Sequence, residues 1–185
     1  MLNGFKVKKE DVKEESCCSV NSTKSCTSDA HSDRDNCCTP QPKGKEECPQ
    51  CHDKAKGVLS KTLEHLLIHE AKKEFTNLDG FHYCKTPSCE VVYFRGNDIL
   101  LQKDLTVGVG LKEGSSPETL CYCFEWSKEK IREELINKGE TVALEDIKAK
   151  MENPGCSCEV LNPSGGCCLG DVTKAIKEIQ KDLEL

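Results

Sequence analysis

Cysteine is the residue that most constrains this chain, since fifteen of its 185 residues carry thiols. Only 36% of the residues are hydrophobic and 5% are aromatic, whereas 31% are charged. The chain therefore has too few apolar side chains for burial alone to stabilise a large core. A disulfide framework is disfavoured because the number of thiols is odd and residues 1–15 contain no apolar run of the signal-peptide kind. We therefore expect thiols that bind metal in a reducing cytoplasm.

Charge and hydropathy exclude two classes of partner. The formal net charge of -6 argues against a nucleic-acid groove, which needs a basic stripe. The longest aliphatic or aromatic runs, at 66–68, 91–94 and 99–101, are far shorter than the roughly 20 residues of a membrane span. We expect no nucleic-acid partner and no membrane insertion.

The first segment, residues 1–47, is predicted to be a disordered tail and linker. It is poor in apolar residues, rich in Ser, Thr and Asn, and shows no hydrophobic periodicity. Thr39 to Gly44 contains two prolines and a glycine, which cannot continue a helix or strand. The segment nevertheless holds five cysteines: Cys17, Cys18, Cys26, Cys37 and Cys38.

The rest of the chain is predicted to be α+β in two subdomains, 48–115 and 116–185, that meet at the turn residues 114–117. Apolar spacing predicts one amphipathic helix over 58–75, with Ser60 or Thr62 as N-cap. Short β-rich runs separated by turns predict a small antiparallel sheet with strands at 81–84, 90–94, 99–101 and 106–109. Capping residues predict three helices in the second subdomain, at 128–137 after Ser127, 142–151 after Thr141, and 171–183.

Two short cysteine loops, Cys48-Pro-Gln-Cys51 and Cys84-Lys-Thr-Pro-Ser-Cys89, predict a structural zinc site in the first subdomain. Each loop presents two sulfurs to one side of a metal, so the four thiolates can complete a tetrahedron. The adjacent His52 and His82 are expected not to be ligands. His65 and His69 have the spacing of a zinc-protease helix, but Leu66 stands where that chemistry needs glutamate.

The remaining thiols form three close pairs, which lie in the second subdomain: Cys121 with Cys123, Cys156 with Cys158, and Cys167 with Cys168. They precede predicted helix starts or follow the glycine pair Gly165-Gly166, where free backbone N–H groups stabilise an anionic cluster of iron, sulfide and thiolate. A second four-thiolate zinc site has the same ligands. Spacing favours iron–sulfur but leaves both readings open.

Several strings in order resemble the amino-terminal domain of CopZ-type iron–sulfur copper chaperones. They are Cys48 to Cys51, Cys84 to Phe94, Val107 to Glu113, Cys121 to Cys123 and Asn162 to Cys168. The resemblance implies zinc on Cys48, Cys51, Cys84 and Cys89. It implies a 2Fe-2S cluster on Cys121, Cys123, Cys158 and Cys168, in a helical module similar to bacterioferritin-associated ferredoxin, with Cys167 as the alternative fourth ligand.

The resemblance also implies a function. It predicts a cytoplasmic metallochaperone, not an enzyme, that reduces copper or another soft metal by one electron before handing it over. The expected partners are a copper-transporting ATPase or a redox protein. Two alternatives stay open: a ferredoxin-like electron carrier or cluster sensor without copper duties, and a zinc-only interaction module.

The chain departs from the family in its copper motif. Family members often carry a further ferredoxin-like domain whose C-x2-C motif binds Cu(I), whereas the only C-x2-C here is the presumed zinc pair. The tail cysteines are candidate soft ligands for Cu(I), and Cys156 is a spare thiol or an exchanging ligand.

Overall fold

A computed structural model describes residues 45–184. Seven strands and six α-helices follow one another in the order β1 (Lys45–Glu47), β2 (Lys54–Gly57), α1 (Ser60–Leu66), α2 (His69–Lys73), β3 (His82–Tyr83), β4 (Val91–Arg95), β5 (Asp98–Leu101), β6 (Thr119–Cys121), β7 (Trp126–Ser127), α3 (Lys128–Lys138), α4 (Ala143–Glu152), α5 (Cys158–Leu161) and α6 (Leu169–Asp182). Strands β1 to β5 form an antiparallel sheet in sequence order, and β6 pairs with β7. The α+β prediction is confirmed.

Strand β4 is the centre of the first half and is buried on both faces. Val92 and Tyr93 pack into a core with α1, whereas Val91 and Phe94 pack into a second cluster with Cys48, Cys84 and Cys89. A register shift between Val91 and Tyr93 lets two neighbouring side chains share one face. Burial on both faces explains why this strand reads as a continuous apolar run.

The single helix predicted over 58–75 is wrong, because the chain breaks between α1 and α2. Leu67 is extended and forms a bridge with Leu105. The Ile68 N–H donates to the Asp104 carbonyl at 2.9 Å, and the Thr106 N–H donates to the Leu66 carbonyl at 2.8 Å. These tertiary hydrogen bonds replace the helical ones and override the apolar spacing. Helix α1 begins after Leu59 without a side-chain cap, so the predicted caps are wrong too.

Two other predictions for the first half are corrected. Residues 106–109 are not a strand, because the Gln102 side chain donates to the Val107 carbonyl and accepts from the Val109 N–H, each at 2.8 Å. Lys45–Glu47, assigned to the disordered tail, form β1 as the hairpin partner of β2. The prediction for the preceding residues, with their five cysteines, lies outside the described residues.

The helices of the second half follow the predicted ones closely. The Ser127 hydroxyl accepts from the Lys130 N–H and caps α3, and Gly139 ends that helix with a φ of 75°. Helix α4 begins after Val142, one residue later than the predicted cap Thr141, and α6 begins at Leu169 instead of residue 171. The short helix α5 was not predicted, because four residues are too few to show a helical period.

A separate hydrophobic core fills the second half. It brings together buried side chains of α3, α4 and α6 with Trp126 and with Cys121, Cys158 and Cys168. Within residues 45–184, no helix combines the length and apolar character needed to cross a bilayer. The division of the chain near residue 115 stays a prediction.

Helix α3 offers a direct test of this core. Ile131 is fully buried and Ile136 is 61% exposed. We predict that Ile131→Ala lowers the free energy of unfolding by about 2–5 kcal/mol through the cavity it leaves, whereas Ile136→Ala changes it by less than about 0.5 kcal/mol. Urea unfolding followed by circular dichroism measures both. Equal losses for the two variants would contradict the packing of α3 described here.

Candidate metal centres

Four cysteines of the first half converge on one point. Cys48 and Cys51 lie in the turn between β1 and β2, Cys84 directly follows β3, and Cys89 comes just before β4. Their sulfurs all lie within 4.8 Å of one another, with 3.9 Å between Cys48 and Cys89 and 3.6 Å between Cys51 and Cys84. A tetrahedral ion bound by sulfurs at about 2.3 Å requires sulfurs about 3.8 Å apart. The four thiols therefore form a metal site with the donor set and spacing that suit zinc.

Backbone hydrogen bonds shape both cysteine loops. The Cys48 N–H donates to the Asp53 carbonyl and the His52 N–H donates to the Cys48 carbonyl, each at 2.9 Å. His52 takes a φ of 60°, the left-handed conformation that closes this turn. In the second loop the Cys89 N–H donates to the Thr86 carbonyl at 3.2 Å. These backbone hydrogen bonds hold the two sulfurs of each loop on one side.

Thr86 links the two loops through its side chain. The Cys51 thiol donates to the Thr86 hydroxyl at 3.4 Å, and that hydroxyl donates to the Asp53 carboxylate. Burial raises the pKa of Cys51, but its hydrogen bonds with Thr86, with the Asp53 backbone and with neighbouring thiols outweigh burial and lower it to about 6. Burial raises the pKa of Cys89 to about 12. A bound divalent cation would replace the protons of such thiols, because only thiolates ligate metals.

Lys112 is a buried cation at the edge of this site. Its ammonium donates to the Thr86 carbonyl at 2.9 Å and to the Val91 carbonyl at 2.7 Å, so it ties together the two ends of the segment that contains Cys89. Among the described residues no carboxylate forms a salt bridge with it. A divalent ion with four thiolates carries net negative charge, which a buried ammonium nearby offsets.

The histidines stand apart from the four thiols. His52 is exposed, and His82 is buried and stacked on Phe94 with ring centroids 5.7 Å apart. The His82 Nδ1 lies 3.6 Å from the Glu46 carboxylate. His65 and His69 are exposed on different helices, so the break after α1 separates the pair that resembles a zinc-protease motif.

The second predicted set also comes together, from four places in the second half. Cys121 ends β6, Cys123 lies in the turn to β7, Cys158 begins α5, and Cys168 directly precedes α6. Cys121, Cys158 and Cys168 are buried, whereas Cys123 is half-buried at 3.8 Å from the Cys158 sulfur.

Hydrogen bonds distribute the protons unevenly in this set. The Cys168 side chain, together with backbone N–H groups, lowers the pKa of Cys121 to about 7 and that of Cys158 to about 5, although burial raises both. The same hydrogen bonds, with Cys121 and Cys158, raise the pKa of Cys168 itself. Burial and the neighbouring thiols raise the pKa of Cys123 to about 12. The pKa values of Cys121 and Cys158 are thus lowered, whereas those of Cys123 and Cys168 are raised.

The two sets differ in shape. Within residues 45–184 only the first set has every sulfur within 4.8 Å of every other. In the second set Cys168 forms side-chain hydrogen bonds with Cys121 and Cys158, and the Cys123 sulfur lies 3.8 Å from that of Cys158. We call this set extended, because its four sulfurs do not all lie within 4.8 Å of one another. Of the two remaining thiols, Cys167 is exposed and Cys156 is half-buried beside Cys158.

Sequence reasoning missed the residues that support these thiols. Thr86 was visible only as part of a cysteine loop, and Lys112, one residue of a lysine-rich chain, gave no signal of burial. Asn162, 5% exposed, organises the turn before Cys168 by accepting from the Ser164 N–H and donating to the Gly166 carbonyl, each at 3.0 Å.

Comparisons with known proteins agree with this architecture. Residues 45–106 match the family zf_CopZ, described as a zinc binding domain. The chain is 30% identical over 148 residues to the copper chaperone CopZ of Archaeoglobus fulgidus. The aligned region covers 74% of this chain and 70% of that protein. The X-ray structure of the Archaeoglobus fulgidus CopZ N-terminal domain superposes with a TM-score of 0.60 at 30% identity, covering 70% of this chain and 96% of that one.

The contacts of Lys112 lead to a test of the four-thiol site. We predict that Lys112→Met releases bound zinc to a competing chelator several-fold faster than the wild-type protein, because two loop carbonyls lose their donor and the thiolates lose a nearby cation. Lys103→Met, at an exposed lysine, is the matched control and should match the wild type. A colorimetric chelator assay measures the rates. Equal release by the Lys112 and Lys103 variants would leave Lys112 without a role at the site.

Proposed function

The chain belongs to the CopZ family of copper chaperones, and from this premise we propose that it is a cytoplasmic metallochaperone that carries a structural zinc and a 2Fe-2S cluster and reduces copper by one electron before handover. The proposed recipient is a copper-transporting ATPase. The observation that carries the proposal is the contrast between a closed set of four thiols and an extended set of four thiols in one fold.

The closed set suits a structural zinc. Cys48, Cys51, Cys84 and Cys89 would fill all four positions of a tetrahedral ion and leave none for water or substrate. Three of these side chains are buried in one hydrophobic cluster with Val91 and Phe94. Zinc on these residues would hold the ends of four strands together and take no part in redox chemistry.

The extended set suits two metal ions better than one. A cluster of two irons would take four thiolates, two for each iron, which an extended set of four thiols can supply, whereas a single zinc needs one closed tetrahedron. The proposed ligands are Cys121, Cys123, Cys158 and Cys168. When bound, a 2Fe-2S cluster supplies one electron at a time.

Burial supports Cys168 over Cys167 as the fourth ligand. Cys168 is 1% exposed and contacts Cys121 and Cys158, whereas the Cys167 side chain is exposed to solvent. Cys168 also directly precedes α6, whose first-turn N–H groups favour negative charge. The exposed Cys167 is left free as a soft donor.

Copper handling rests on the chemistry of thiolates. Cu(II) that gains one electron becomes Cu(I), which soft sulfur ligands bind in preference to hard oxygen ligands. Cys156 and Cys167 lie beside the proposed cluster ligands without belonging to them. The tail cysteines are a further candidate for Cu(I), outside the described residues.

The zinc assignment is tested by Cys84→Ser. We predict that this variant loses its zinc and unfolds at a lower temperature, because the remaining three thiols cannot close the site. Cys167→Ser should keep both zinc and stability, since Cys167 is outside the closed set. Elemental analysis and thermal unfolding measure the two properties. Full zinc content in a folded Cys84→Ser protein would refute the assignment.

The cluster assignment is tested by Cys123→Ser against Cys156→Ser in anaerobically purified protein. We predict that wild-type protein is red-brown with equal iron and sulfide, that Cys123→Ser bleaches or shifts the visible spectrum, and that Cys156→Ser does not. Each variant removes one thiol, which makes them a matched pair. A colourless wild-type protein with two zinc ions would favour the zinc-only module.

Copper reduction is measured on the same pair of variants. Pre-reduced wild type and Cys156→Ser should convert one Cu(II) to Cu(I) per cluster, read with a Cu(I)-specific chelator and corrected for titrated free thiols. Cys123→Ser should lose this activity. Equal reduction by all three proteins after correction would favour a cluster that only senses or only carries electrons.

A further inference from the structure

The segment that carries two of the proposed cluster ligands is bonded to the other half of the fold. Helix α5, which begins at Cys158, packs on α1 of the zinc-binding half. We infer that Thr62 and Tyr93 position Cys158 and Cys168 for the cluster by holding residues 158–166 against the zinc-binding half. We call these two residues and their acceptor carbonyls the latch. The inference rests on the proposed cluster site.

Thr62 makes the first bond of the latch. It lies in α1, is fully buried, and donates its hydroxyl proton to the Glu159 carbonyl at 2.6 Å. Glu159 is the residue after Cys158. The neighbouring Lys61 ammonium lies 3.5 Å from the Glu159 carboxylate on the exposed side. Glu159 thus receives both a hydrogen bond from a buried hydroxyl and an ion pair. These two contacts hold the first turn of α5 next to the proposed ligand Cys158.

Tyr93 makes the second bond. It lies in the central strand β4, is fully buried, and donates its hydroxyl proton to the Pro163 carbonyl at 2.7 Å. Burial raises the pKa of Tyr93 well above its ordinary value, so the phenol stays protonated and remains a donor. Pro163 has no N–H of its own, and its carbonyl is buried with it. The bond therefore satisfies an acceptor that water does not reach easily.

The held segment fits closely against α1. Gly165 has a φ of 63°, and a Cβ added there would lie 3.2 Å from the Thr62 hydroxyl oxygen and 3.5 Å from Val58. Asn162 stabilises the same turn through its hydrogen bonds to Ser164 and Gly166. The turn between α5 and α6 is thus a rigid piece whose placement depends on two hydroxyls of the zinc-binding half.

The latch affects only one of the two pairs of proposed cluster ligands. Cys121 and Cys123 come from the β6–β7 hairpin, whereas Cys158 and Cys168 flank the latched segment. Loss of either hydroxyl leaves a buried carbonyl without its donor, which releases the segment while the hairpin stays in place. The latch therefore acts on one ligand pair and not on the other.

The test compares Thr62→Val, Thr62→Ser and Tyr93→Phe in the full, zinc-containing chain. Valine removes the hydroxyl at nearly constant volume, and serine retains it. Thr106→Val is the matched control, because the Thr106 hydroxyl also donates to a carbonyl, that of Leu66, at 3.0 Å, but within the zinc-binding half. The first readout is the rate at which iodoacetamide labels each thiol after iron removal, resolved by mass spectrometry. The second is the rate at which a chelator bleaches the iron-loaded protein.

We expect Thr62→Val and Tyr93→Phe to label Cys158 and Cys168 faster by on the order of tenfold, with Cys121 unchanged relative to wild type. Thr62→Ser and Thr106→Val should behave like the wild-type protein, and all variants should keep their zinc. The first two variants should also bleach several-fold faster.

Three outcomes would overturn the latch: wild-type labelling rates in both hydroxyl-deleted variants, equal acceleration at all four thiols, or the same acceleration in Thr106→Val. Absence of iron and sulfide from wild-type protein would instead refute the proposed cluster. The labelling rates decide the latch in that case as well, since they need no iron.

Discussion

The convergence of four cysteine side chains within 4.8 Å of one another is the constraint on which the structure depends. The hydrophobic cluster around the closed site consists of Cys48, Cys84 and Cys89 with only three other buried side chains. Such a small cluster gives little free energy by burial, so its stability depends on whatever links the sulfurs. A divalent cation on four thiolates would link all the sulfurs at once and cancel half of their charge, and Lys112 adds a fixed positive charge at the edge. The metal would therefore reinforce this small cluster on one face of β4, whereas apolar side chains fill the core on the other face.

The second half meets the same constraint in another way. Its thiols sit in a larger core with Trp126, Ile131 and Ile147, so the helices do not depend on a metal for their packing alone. Hydrogen bonds among these thiols lower the pKa of Cys121 and Cys158 and raise that of Cys168. The proposed cluster would therefore bind within a core that apolar side chains already fill.

Sequence patterns predicted the elements whose signals are local. Capping at Ser127 and Gly139, the apolar run of β4, and the spacing of the two cysteine loops all act within a few residues, and the structure contains each of them. The errors arose where a distant partner takes the backbone hydrogen bonds, as Asp104 does at Ile68. The choice between Cys167 and Cys168 was open for the same reason, because one residue in a turn changes which thiol faces inward; in the fold Cys168 is buried and Cys167 is exposed.

The latch connects the zinc-binding half to the segment that carries the proposed cluster ligands. A sheet braced by zinc would be rigid. Strand β4 begins next to the four-thiol site and carries Tyr93, four residues after Cys89, and Tyr93 fixes the position of the Pro163 carbonyl. Thr62 bonds Glu159 to α1, and α1 packs on the face of β4 opposite the four-thiol site. The zinc site would then restrain the positions of Cys158 and Cys168, although the cluster and the zinc share no ligand. A structural zinc that takes no part in electron transfer can thereby still fix the geometry on which electron transfer depends.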